Sequence, residues 1–158
     1  MEAKKESAIF AAGCFWGVEE AFRTLKGVVE TTAGYTGGSL KNPSYGQVCS
    51  GKTGHAEAVK VSFNPAIISY KELLEVFWSI HDPTQKDMQG PDVGRQYHSA
   101  IFYINESQRK EALASLKALE NSGKFSKPIA TEISKASEFY PAEEYHQKYV
   151  QKTGIKVC

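Results

Sequence analysis

Twice along this chain a short apolar run gives way to apolar residues at helical spacing and then to a second strand-like run. Residues 7–13 (SAIFAAG) read as a buried strand closed by glycine. Phe15, Val18, Phe22 and Leu25 then recur at helical spacing, Gly27 stands where a helix would stop, and residues 28–35 read as the next strand. The second unit starts at residues 56–63, where Glu57, Val59, Val61 and Phe63 share one face and Lys60 and Ser62 the other. Tyr70, Leu73, Leu74, Phe77, Trp78 and His81 form its helical stripe, and residues 98–104 its closing strand. Beyond it the pattern predicts a helix over 107–121 with Leu113, Leu116 and Leu119 facing in, a weaker strand at 129–134 and a short helix over 142–151. Two strand–helix–strand units in series predict a two-layer α+β sandwich. Its core is a ferredoxin-like split βαβ arrangement, with a mixed, mostly antiparallel sheet and C-terminal additions.

Residues 36–54 and 82–97 break this regularity with Gly, Pro, Ser and Asn and read as long loops, which in a compact domain usually carry function. Nothing marks a linker or repeat, so 1–158 reads as one catalytic domain with a flexible tail from about 151. With 19 Lys and Arg against 18 Asp and Glu, the chain carries no field to draw in nucleic acid or an anionic membrane. Its longest apolar runs are far short of the ~18–20 residues of a membrane span, and the first six residues do not make a secretory signal. Three cysteines without C-x-x-C spacing predict neither a disulfide framework nor a zinc site, and place the chain in the cytoplasm. His55, His81, His98 and His146 have no ligand spacing, so no metal is expected.

The sharpest local signal is Gly13-Cys14-Phe15-Trp16-Gly17, where the first strand meets the first helix. A thiol at a helix start sees unpaired backbone N–H groups and the positive helix end, both of which favour thiolate. A small buried cysteine would need neither flanking glycine. Trp16 is out of phase with the apolar stripe, with Glu19, Glu20 and Arg23 as helical neighbours, which suits a pocket wall. Glu57 lies on the apolar face of its strand, where desolvation raises a carboxyl pKa and keeps a proton available for donation. Tyr45 and Tyr97, in the two loops, can donate hydrogen bonds to a developing oxyanion without bearing charge. A nucleophilic thiol, an aromatic wall, a neutral acid and two phenols suit attack on a small electrophile whose oxygen leaves protonated. The rivals are a hydrolase or transferase pairing Cys14 with His55 or His146, and a non-catalytic binding module of the same fold.

These residues resemble the peptide methionine sulfoxide reductase A (MsrA) family. The likeness rests on the Gly13–Gly17 pentad, Gly34-Tyr35-Thr36-Gly37-Gly38, Asn42-Pro43-Ser44-Tyr45 and Gly54-His55-Ala56-Glu57-Ala58. It continues through His81-Asp82-Pro83-Thr84, Gln89-Gly90-Pro91-Asp92-Val93-Gly94, Gln96-Tyr97, and Phe139-Tyr140-Pro141-Ala142-Glu143-Glu144-Tyr145-His146-Gln147. The resemblance implies reduction of methionine S-sulfoxide, free or in oxidised proteins, with no metal or organic cofactor. Cys14 would attack the sulfur and Glu57 protonate the oxygen, with Tyr45 and Tyr97 bonded to it. Phe15 and Trp16 would hold the methyl group and Asp92 would line the site. A second thiol would resolve the Cys14 sulfenic acid, and thioredoxin would reduce the disulfide. Many members carry two recycling cysteines in a C-terminal extension, whereas this sequence ends at Cys158, the expected resolver ahead of Cys49.

Overall fold

The strand of residues 6–12 and the strand of residues 56–63 lie side by side at the centre of the sheet, and most residues on both are buried. A computed structural model describes residues 5–154. Its elements in chain order are β1 (Glu6–Ala12), α1 (Phe15–Arg23), β2 (Val28–Thr36), α2 (Tyr45–Cys49), β3 (Ala56–Phe63) and α3 (Tyr70–Ser79). A small hairpin follows, β4 (Met88–Gln89) and β5 (Asp92–Val93), then a 3-10 turn at Arg95–Tyr97, β6 (Ser99–Tyr103) and α4 (Glu106–Asn121). The chain closes with β7 (Glu132–Lys135), β8 (Phe139–Pro141), a 3-10 turn at Glu144–His146 and α5 (Tyr149–Thr153).

Six strands form one sheet in the order β7-β6-β1-β3-β2-β8, antiparallel throughout except for the parallel β6–β7 pair. The inner four, β6-β1-β3-β2, have the split βαβ order that the sequence pattern predicts. On one face Phe10, Val59, Val61, Phe63 and Ile101 meet Phe15 and Phe22 of α1 and Leu73, Leu74 and Phe77 of α3. Phe10 stacks on Phe22 with ring centroids 5.0 Å apart. Emptying a site of that size costs about 3–5 kcal/mol, so this pair locks α1 onto the sheet. The other face carries a thinner layer of small side chains, Ala11, Ala56, Ala58 and Ala100 among them, covered by Ala136 and Phe139.

Five differences from the sequence reading have local causes. Within the first long loop, Ser44 and Gln47 form a reciprocal capping box that starts α2, too short to leave a periodic signal. Leu113 faces out at 40% exposure, because Gln108 and Ala112 hold the inward phase of α4. Gln108 ties that phase to the sheet by donating to the Ser7 carbonyl at 2.8 Å. The weak strand sits later, at Glu132–Lys135. Residues 142–151 are not one helix: the chain breaks at Lys148, in the left-handed conformation at φ 53°, and α5 begins after it. Residues 151–153, read from sequence as the start of a tail, belong to that helix, where Val150 is buried. Among the described residues no helix is long and apolar enough to cross a membrane.

Candidate active site

β1 delivers the chain to Gly13, whose φ of 97° turns it into α1. A Cβ on Gly13 would also stand 2.9 Å from Cγ of Gln89, so glycine is required twice over. Cys14 is the N-cap residue of α1, 9% exposed, and its side chain caps nothing. The N–H of Phe15, the first helical residue, donates instead to Oε1 of Glu57 across the sheet at 3.2 Å. Cys14 and Glu57 are thereby linked through the amide that immediately follows Cys14. The Cys14 side chain also borders a cavity of about 390 Å³ whose wall includes Val18, Ile80, Gln89 and Asp92.

Glu57 is 1% exposed, and its Oε2 has no hydrogen-bond partner among the described residues. Burial raises its pKa to about 8, with Asp92 adding to the rise and the Phe15 N–H opposing it. At neutral pH this carboxyl holds its proton, as its strand phase predicts. β3 places it there by register: Glu57 faces Tyr35 across the β2–β3 ladder.

Tyr45 opens α2, and its phenol shares a hydrogen bond with the Cys49 thiol. Burial first, then that bond and the Glu57 charge, push the Tyr45 pKa well above its ordinary value. Tyr97 ends the 3-10 turn and is pushed up to about 12 by burial and then by Glu57, Cys49 and Asp92. Both phenols remain protonated donors across the physiological range and lie close enough to Glu57 to sense its charge. Phe15 is 1% exposed, packed against Tyr35 and Tyr45. Trp16 is half-buried, stacks on Tyr149 at 3.9 Å and donates from Nε1 to Nδ1 of His146 at 2.9 Å. Cys14, Phe15, Trp16, Tyr45, Glu57, Asp92 and Tyr97 thus gather around one end of the sheet. Cys49 is exposed at the end of α2, and Cys158 lies outside the described residues.

The expected polar side of α1 needs correction. Glu19 is 1% exposed, because the chain from Ala142 onward folds over that face and uses it. The two imidazoles proposed as alternative bases are occupied. Gly38 N–H donates to Nδ1 of His55 at 3.1 Å, and Nε2 of His55 lies 2.7 Å from the Leu40 carbonyl. His146 spends its Nδ1 lone pair on Trp16, so its Nε2 carries the proton when the ring is neutral. Neither ring has a lone pair to offer a thiol. Among the described residues no three His, Cys, Asp or Glu side chains gather to hold a metal.

This arrangement can deliver a proton from Glu57 and two phenolic hydrogen bonds to an oxygen near Cys14. The family model described as peptide methionine sulfoxide reductase matches residues 6–158. The chain belongs to that family. It is 63% identical to the peptide methionine sulfoxide reductase MsrA of Methanosarcina mazei over 95% of this chain and 71% of that one. The reduced form of Mxr1 from Saccharomyces cerevisiae superposes with a TM-score of 0.90 at 37% identity, over 98% of this chain and 89% of the yeast chain. Mxr1 in complex with Trx2 gives 0.64 at 28% identity, over 94% of this chain and 89% of the other. The protein is an MsrA-type oxidoreductase acting on methionine sulfoxide. The rival hydrolase and binding-module readings fall away.

The individual roles of Tyr35, Glu143, His146 and Tyr149 were not read from the sequence of this reductase. Their signal lay in the run Phe139–Gln147, which the family likeness singled out without giving its members work.

Proposed function

We propose that Cys14 is the nucleophile and Glu57 the proton donor in reduction of methionine S-sulfoxide, free or in oxidised proteins. The Cys14 thiolate attacks the sulfoxide sulfur while Glu57 protonates the oxygen, with Tyr45 and Tyr97 hydrogen-bonded to that oxygen. The protonated oxygen then passes from the methionine sulfur to the Cys14 sulfur as the bond between the two sulfurs breaks; the methionine sulfur gains two electrons, the Cys14 sulfur loses two, methionine leaves and Cys14 sulfenic acid remains. Phe15 and Trp16 contact the methyl group, and Asp92 lines the site. The thiol of Cys158 then condenses with the sulfenic acid, releasing water and forming a disulfide, with Cys49 as the alternative. Thioredoxin reduces that disulfide by exchange; the complex of yeast Mxr1 with Trx2 supports this partner. A thiol cycle of this kind suits a reducing compartment, and on that ground we assign the protein to the cytoplasm.

The observation that carries the reading is Glu57: almost fully buried, protonated at neutral pH, and bonded to the amide that follows Cys14. Incubating the enzyme with methionine S-sulfoxide and dithiothreitol should yield methionine, and Cys14→Ser should yield none. Turnover by Cys14→Ser would overturn the nucleophile assignment. Mass spectrometry after one turnover without reductant should find Cys14 bonded to Cys158. A lasting sulfenic acid, or a bond to Cys49, would remove Cys158 from its role.

A further inference from the structure

The run Phe139–Gln147 folds against the site without supplying any group to the chemistry proposed above. β8 pairs with β2, and Ala142 N–H then donates to the Ala33 carbonyl at 2.8 Å. The side-chain amide of Gln147 grips both backbone groups of Ala33, accepting from its N–H and donating to its carbonyl, each at 2.8 Å. The segment between these two anchors is held to the middle of β2. Its Glu143 carboxylate turns toward the site: Oε1 accepts from the Tyr35 hydroxyl at 2.9 Å and Oε2 from the Tyr45 N–H at 3.0 Å.

These two donors are the informative part. Tyr35 is fully buried and stands opposite Glu57 in the sheet. Tyr45 is the first residue of α2, which spans five residues and cannot hold its own place by helix propensity. Its capping box satisfies the N–H groups of Ser44 and Gln47 and leaves that of Tyr45. Glu143 takes it. The carboxylate therefore ties the start of the short helix to the strand residue paired with the acid.

We propose that Glu143 is a positioning residue that acts through Tyr45, fixing where that phenol stands relative to Glu57. The charge of Glu143 suits the role. Burial pushes its pKa up, but the N–H of Tyr45, its own N–H and the Tyr35 hydroxyl outweigh this and hold it below the ordinary value. The next turn supports the same helix from the side, since the His146 ring packs 4.4 Å from the Tyr45 ring. The inference rests on Tyr45 hydrogen-bonding the sulfoxide oxygen, as proposed above.

A double-mutant cycle tests it, using single-turnover reduction of a peptide containing methionine S-sulfoxide. Tyr45→Phe should lower the maximum rate about 10- to 100-fold. Glu143→Gln keeps the shape but turns one acceptor into a donor, and should lower the maximum rate about 5- to 20-fold with the half-saturating concentration within about twofold. The double variant should lie within about twofold of Tyr45→Phe alone, because a residue acting through Tyr45 has nothing left to position. Full multiplication of the two losses, or an effect confined to the half-saturating concentration, would overturn the inference. If Glu143→Gln does not fold, Tyr35→Phe removes one donor from the same carboxylate; its smaller loss should vanish in the Tyr45→Phe background and would otherwise overturn the inference. Tyr45→Phe at the wild-type rate would instead sink the Tyr45 assignment, and the inference with it.

Discussion

Glu19 and Glu57 are each 1% exposed, one within α1 and the other bonded to its first residue, and we assign them opposite uses. Glu19 has both oxygens engaged: Oε1 accepts from the Lys148 N–H at 2.6 Å and Oε2 from the Thr31 hydroxyl at 2.8 Å. Among the described residues Glu57 has one bond, at 3.2 Å, and an oxygen with none. Burial is the same in both, so burial does not make a carboxyl reactive. The unfilled bonding capacity does. A buried carboxyl with two donors is a structural clamp; one left short of donors keeps its proton and can give it away.

The largest effect should come from Glu57→Gln, which keeps the shape and removes the transferable proton. Single-turnover sulfoxide reduction at pH 7 should fall about 10²- to 10³-fold, while the fold persists. A change below threefold would take the acid role from Glu57.

The comparison also has a stability side. With a folded pKa near 8 against an ordinary 4.5, the native state binds more protons than the unfolded one in the window between. The stabilisation this proton brings is complete below pH 4.5 and is lost as pH rises to about 8. Urea unfolding at pH 5 and pH 9 should show wild type losing a few kcal/mol more than Glu57→Gln, at most about 4–5 for a shift of that size. Parallel losses in the two proteins would mean the carboxyl is not held protonated by the fold.

The smallest effect on chemistry is expected at Glu19. Glu19→Gln replaces an acceptor of two buried bonds and should destabilise the fold by about 1–3 kcal/mol. The single-turnover rate of the folded variant should stay within about threefold of wild type. A large loss of rate at unchanged stability would erase the distinction between the two carboxylates.

How much of this was legible in the sequence follows from the range of the interactions. Glu57 could be read because strand alternation puts it in phase with Val59, Val61 and Phe63, a pattern contained in eight residues. The turn at Gly13 and the helix start at Phe15 were legible for the same reason. The sequence groups Glu19 with Glu20 and Arg23 on the polar side of α1, but only the latter two pair with each other, at 2.7 Å. What buries Glu19 is Lys148, 129 positions away. The contacts of Tyr45 and Trp16 likewise come from Glu143 and His146, 98 and 130 positions off. No local periodicity encodes such pairs. Only the family likeness flagged the run Phe139–Gln147, and it gave no geometry.

The central claim is that the buried, half-satisfied carboxyl of Glu57 supplies the proton. Its most direct test is the pH dependence of the single-turnover rate in wild type and Glu57→Gln, from pH 6 to about 10. Wild type should lose rate on the alkaline side with a midpoint near pH 8, tenfold per pH unit beyond it, as Glu57 gives up its proton. Glu57→Gln should be slow throughout and lack that limb. A wild-type rate still rising above pH 9, or an alkaline limb shared by both proteins, would contradict the assignment.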